Sequence, residues 1–171
     1  MNNLIRIGIV GSRFAAEFHY AAYQRVTGIG VKVVGVTSLT KDHRENFAKK
    51  RGIRFFDSLE EMLPKVDVID VCTPGYAHEE ISIIALEAGK HIVVEKPFTG
   101  YFGPSGDKNF NGSKFPKEKM LEDAIASARH IIVVALKNKK KVCYAENWIY
   151  APVIQKEAEI ITKTRDRYCG L

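Results

Sequence analysis

The chain has no apolar run approaching the roughly 20 residues needed to cross a bilayer. Its first residues lack the layout of a signal peptide, so a cytoplasmic protein is expected. Cysteine is scarce: Cys72, Cys143 and Cys169 in 171 residues. An odd, widely spaced set without metal-ligand spacing argues against a disulfide framework and against a bound metal. Cys72 and Cys143 fall in expected core strands and read as reduced thiols. Charge of one sign is also in short supply, with 26 Lys and Arg against 20 Asp and Glu and a net charge of +6 at pH 7. That excess favours an anionic ligand, but no reading motif for nucleic acid accompanies it. Lys137, Lys139, Lys140 and Lys141 read as a solvated helix end, where cations are favoured anyway. No internal repeat is visible.

Short apolar runs alternate with helical patterns. Leu4 to Val10, Val31 to Val36, Arg54 to Phe56, Val66 to Cys72, His91 to Val94 and Lys141 to Tyr144 read as strands. Between them, helices are expected over Phe14 to Val26, Lys41 to Arg51, Glu79 to Ala88 and Glu118 to Asn138, and a last one over Val153 to Lys163. Gly52 and Gly89 stand where helices stop. Ser58 and Glu61 have capping-box spacing. Strands alternating with helices at this pace predict an α/β protein with a doubly wound parallel sheet of Rossmann type. Residues 98–116, rich in Gly, Pro, Asn, Ser and Lys, read as a long loop, either a lid or disordered. The expected division is a dinucleotide-binding domain over 1–146 and the start of a second domain over 147–171.

Gly11-Ser12-Arg13-Phe14-Ala15-Ala16 follows the first strand where a G-x-G-x-x-G/A fingerprint would cradle a pyrophosphate on a helix N-terminus. The first glycine and the small last residue are present, and Arg13 stands at the middle glycine. Its guanidinium could pair with phosphate instead. The bland alternative is a merely tight turn. The second strand ends Thr37-Ser38 without the carboxylate that would bond an NAD ribose, and Lys41, His43 and Arg44 follow. Hydroxyls and cations suit an extra phosphate, so NADP is preferred and NAD is the alternative. Thr73, Pro74 and His78 follow the fourth strand, and Glu95-Lys96-Pro97 follows the fifth. In an open α/β sheet both stretches face one crevice. A lysine desolvated there can lower its pKa and move protons.

Taken in order, GIVG, CTPGYAH, ALEAGKHIVVEKP and YAENWIYAP resemble the glucose-fructose oxidoreductase, inositol dehydrogenase and MocA-like oxidoreductases. The resemblance is dense from Leu4 to about Pro97 and resumes from about Leu121 to Lys163. It implies hydride transfer between a nicotinamide cofactor and a sugar, cyclitol or related small hydroxylated molecule. Lys96 would be the catalytic residue and Pro97 a cis proline that sets its direction. Thr73, Pro74 and His78 would border the nicotinamide, with Trp148 on the cofactor side and Asn147 on the substrate side. Glu95 would belong to the cofactor-binding set, mainly as structure. The family's second domain, which supplies much of its substrate pocket and usually its oligomer interface, is nearly absent. A shortened chain is therefore expected, with self-association through the surface left uncovered. The competing reading is a dinucleotide-binding module without turnover, or an inactive fragment. A methyltransferase is a poorer reading, because it leaves Glu95-Lys96-Pro97 beside Thr73-Pro74 unexplained.

Overall fold

The structure, a computed structural model, describes residues 4–104 and 109–165. Six strands, β1 (Ile5–Val10), β2 (Val31–Thr37), β3 (Arg54–Phe55), β4 (Val68–Val71), β5 (His91–Val94) and β6 (Val142–Tyr144), form one sheet in the order β3-β2-β1-β4-β5-β6. Every pairing is parallel. The order reverses between β1 and β4, which is the switch point of a Rossmann sheet.

The helices are α1 (Phe14–Tyr23), α2 (Lys41–Arg51), α3 (Leu59–Met62), α4 (His78–Glu87), α5 (Lys117–Lys137) and α6 (Pro152–Thr164). Because successive strand residues point to opposite faces, the sheet builds two cores. Ile7, Ile9, Val33 and Val36 pack with Ala16 of α1 and Phe47 and Ala48 of α2. Val10, Ile69, Val71, Ile92 and Val94 pack with Ala85 and Leu86 of α4 and Ile131, Val134 and Ala135 of α5. Each fully buried aliphatic side chain contributes about 1.5–3 kcal/mol. The β-branched run Ile131 to Val134 is helical because its spacing places Ile131, Val134 and Ala135 on the buried face.

Three expectations change. α1 stops at Tyr23, not Val26, since Arg25 and Val26 donate to the Ala22 and Tyr23 carbonyls and tighten the chain toward the Gly28 turn. Cys143 lies on the edge strand β6 and is exposed, whereas Cys72 is buried as expected. Cys169 lies outside the described residues. The described parts of 98–116 are ordered by contacts: Tyr101, Phe110 and Phe115 pack ring against ring, Phe102 packs on Tyr76, and Thr99 Oγ1 donates to the Ala124 carbonyl at 2.8 Å. No described residue of α6 is buried. No helix among the described residues is long and apolar enough to cross a membrane.

Candidate active site

One row of paired residues sets the site. Thr37 pairs with Val10, Val10 with Val71, Val71 with Val94, and Val94 with Tyr144. The residues just past that row, Gly11, Ser38, Cys72-Thr73, Glu95-Lys96 and Ala145, therefore share the carboxyl edge of the sheet.

At the turn after β1, Gly11 has φ +114°. A Cβ there would lie 2.8 Å from the Cys72 carbonyl carbon and closer still to its oxygen. Its N–H is spent on the Thr37 carbonyl at 2.8 Å. The donors left for an anion are therefore those of the first turn of α1, ahead of the first intrahelical bond from Glu17 N–H to the Arg13 carbonyl. Arg13 is exposed, with φ −108° and ψ −158°, an extended backbone open to any residue. The missing middle glycine is thus no conformational obstacle. Ser12 Oγ and Ser38 Oγ are 2.8 Å apart and tie this turn to the end of β2. Phe14 is 77% exposed and packs on Phe18 with tilted rings, centroids 4.6 Å apart, while Ala15 is half-buried on the core.

The cations near β2 divide sharply. Arg44 is buried, donates to the Ser38 carbonyl at 3.0 Å and pairs with Asp57, so it braces the loop and cannot reach a phosphate. Lys41 is exposed and leans toward Glu45 at 3.8 Å. Thr37 is buried. A cavity of about 270 Å³ between α1 and α2 is lined by Ser12, Arg13, His43, Asn46 and Lys50 among others. Lys50 was missed by the sequence reading, although positions 43, 46 and 50 share a helical face.

His78, expected beside the nicotinamide, is fully buried. Its Nε2 lies 2.9 Å from the Thr73 carbonyl and its Nδ1 lies 3.0 Å from the Pro97 carbonyl. It braces the turn after β4 against the segment after β5 rather than offering a face to a ligand. Thr73 Oγ1 is buried without a hydrogen-bond partner among the described residues. Pro74 is exposed. The Lys96–Pro97 peptide is cis. Lys96 is exposed rather than desolvated, and its side chain has no ion-pair partner among the described residues. Trp148 opens the 3-10 turn Trp148–Tyr150 that follows β6, Asn147 caps it, and both are exposed.

A buried polar cluster went unforeseen. Asp70, fully buried in β4, lies 2.9 Å from His19 Nδ1 of α1, and His19 Nε2 lies 3.2 Å from Glu95 Oε1. Cys72 Sγ lies 3.6 Å from Asp70 Oδ1. Burial pushes the Cys72 thiol up, and Asp70 and Glu95 add to that. Burial and Asp70 likewise push the Tyr23 phenol up. His19, Asp70 and Cys72 bring nitrogen, oxygen and sulfur atoms within 4.8 Å of one another. These donors are engaged with each other through hydrogen bonds. The signal in the sequence was an aspartate inside the otherwise apolar run VIDVC, which needs a buried partner.

A family model described as "Oxidoreductase family, NAD-binding Rossmann fold" matches residues 5–102. UDP-N-acetylglucosamine 3-dehydrogenase of Acidithiobacillus ferrooxidans is 28% identical over 95 residues, 56% of this chain and 29% of that protein. The WlbA dehydrogenase from Bordetella pertussis, in complex with NADH and UDP-GlcNAcA, superposes with a TM-score of 0.77 at 19% identity, covering 96% of this chain and 41% of that one. Biliverdin reductase from Synechocystis sp. PCC 6803, in complex with biliverdin and NADP+, gives 0.71 at 20% identity, covering 93% and 43%. The chain spans less than half the length of these relatives.

Proposed function

This chain belongs to the Gfo/Idh/MocA oxidoreductase family, and from that premise we propose that it binds NADP and transfers hydride to or from a sugar, cyclitol or related small hydroxylated molecule. NAD is the alternative cofactor. The observation that carries the reading is the shared strand register, which puts the Gly11 turn, Thr73 and Lys96 on one edge at the switch point. The residues fit a dinucleotide. Gly11 lets the turn after β1 close onto the Cys72 carbonyl, where a Cβ would clash, which leaves the first-turn N–H groups of α1 for an anion, and Thr73 holds a buried hydroxyl that lacks a partner among the described residues. Bound nicotinamide would supply hydride exchange with the substrate carbon.

Lys96 Nζ takes the substrate hydroxyl's proton in the oxidising direction and returns it in the reducing one, a role worth about 10²–10⁴ in rate. Ser12, the first turn of α1 and Arg13 hold the diphosphate. Thr73 and Pro74 border the nicotinamide, His78 fixes their turn, and Trp148 and Asn147 approach from the β6 side. Preference for NADP rests on Ser38 in place of a carboxylate and on Arg13, His43 and Lys50 around the adjoining cavity. The UDP-sugar dehydrogenase among the relatives supports the sugar class.

Calorimetric titration with NADPH and NADH tests the reading. NADPH should bind more tightly, and Lys50→Ala should weaken NADPH about two- to fivefold, as for one exposed charge pair, with NADH unchanged. Tighter NADH would overturn the NADP assignment, and no binding of either would overturn the cradle. Lys96→Ala should leave NADPH affinity intact and abolish turnover. Unchanged turnover would remove Lys96 from the chemistry, and binding without turnover by the unaltered chain would favour a non-catalytic module.

A further inference from the structure

His19 stands between two carboxylates, Asp70 of β4 and Glu95 just past β5. Its Nδ1 lies 2.9 and 3.0 Å from the oxygens of Asp70, and its Nε2 lies 3.2 Å from Glu95 Oε1. The remaining Glu95 oxygen, Oε2, accepts the Lys96 backbone N–H at 2.8 Å. A neutral imidazole has one N–H and one lone pair, so it can donate to one of these carboxylates only. Facing the other, its lone pair would meet a second acceptor. Only the doubly protonated ring donates at both ends.

We propose that His19 is a positioning residue, held as an imidazolium between Asp70 and Glu95, that fastens the Glu95–Lys96 backbone to helix α1. The same helix starts at the Gly11 turn. The turn and the lysine are thereby fixed in one frame, through a contact that neither the Gly11 turn nor the Glu95-Lys96-Pro97 segment contains by itself. Asp70 is fully buried and would be left as an uncompensated charge without the ring. The groups facing His19 are Asp70 and Cys72 from the end of β4 and Glu95 just past β5, and Tyr23 of α1 also interacts with Asp70. Burial alone would lower the histidine, but its hydrogen bonds to Asp70 and Glu95, with their charges, outweigh burial and raise it. The functional consequence rests on the role proposed for Lys96. The positioning itself does not, and it can be measured without cofactor or substrate.

The test uses the intact chain and two variants, His19→Gln and Glu95→Gln. Nitrogen-15 NMR of the ring should show both His19 nitrogens protonated at neutral pH, with a midpoint above the ordinary histidine value of about 6.5. In Glu95→Gln that midpoint should fall. Amide exchange in His19→Gln should lose about tenfold or more protection at Lys96 beyond any loss at Ile92 and Val94, whose amides report opening of the sheet. A ring that is neutral at pH 7, or Lys96 exchange that changes only in step with Val94, would overturn the proposal. If His19→Gln fails to fold, the ring titration of the intact chain against Glu95→Gln decides alone. Failure of NADPH to bind would leave both readouts standing, so the two readings fail separately.

Discussion

Replacing Gly11 with alanine tests whether the turn after β1 has room for any side chain. Gly11 sits at φ +114°, a region that L side chains rarely adopt, at a cost of about 1–3 kcal/mol. The added Cβ would also lie 2.8 Å from the Cys72 carbonyl carbon. That carbonyl belongs to the chain leaving β4, whose Cys72 N–H is held by the Val10 carbonyl at 2.8 Å, so backbone rather than a flexible side chain must give way. Overpacking of this kind costs about another 1–3 kcal/mol. The sum, about 2–6 kcal/mol, corresponds to a drop in Tm of about 4–24 °C for a chain of this size. Gly28→Ala is the control. Its φ is +87°, but nothing lies within 4 Å of a Cβ, so only the conformational cost of about 1–2 kcal/mol applies. Urea unfolding of both variants measures the difference. A Gly11→Ala loss no greater than that of Gly28→Ala would refute the claim that the turn is closed to a Cβ.

Arg44→Ala should cost about 2–3 kcal/mol in urea unfolding, because it strips the Ser38 carbonyl and Asp57 of a buried partner. Lys50→Ala should lie within about 0.5 kcal/mol of the unaltered chain. Arg6 grips Asp67 in a two-pronged ion pair at the opposite end of β1 and β4, and this holds the Asp67 carboxyl down at about 2. The folded value lies below the unfolded one of about 4, so the stabilisation is complete above pH ~4 and is lost as pH falls toward ~2. The stability gap between the unaltered chain and Asp67→Asn, small for so exposed a pair, should therefore close over that interval. A gap that is constant from pH ~6 to ~2 would remove the carboxylate from acid unfolding.

The parallel α/β alternation and helix placement were legible because the central strands β1, β2, β4 and β5 are mostly buried and mostly apolar, with glycines marking the stops. α1 ended early because the bonds that close its last turn depend on the Gly28 bend, not on apolar spacing. The cofactor edge was legible as a set of strand ends, but not the orientation of each side chain. Arg44 lies three and four residues before Phe47 and Ala48, so helical spacing sends it inward, while His43, Asn46 and Lys50 line the cavity. Proximity to Ser38 along the chain obscured that division. His78 reaches the Pro97 carbonyl 19 residues on, and His19 reaches Asp70 and Glu95 51 and 76 residues on, partners that local pattern does not reveal.

A crystal structure of this chain with NADPH shows outright where the cofactor sits. The diphosphate should lie on the turn from Gly11 to Arg13, the ribose phosphate between Arg13 and Lys50, and the nicotinamide beside Thr73 within reach of Lys96 Nζ. A cofactor seated elsewhere, or a Lys96 ammonium turned away from the ring, would contradict that placement.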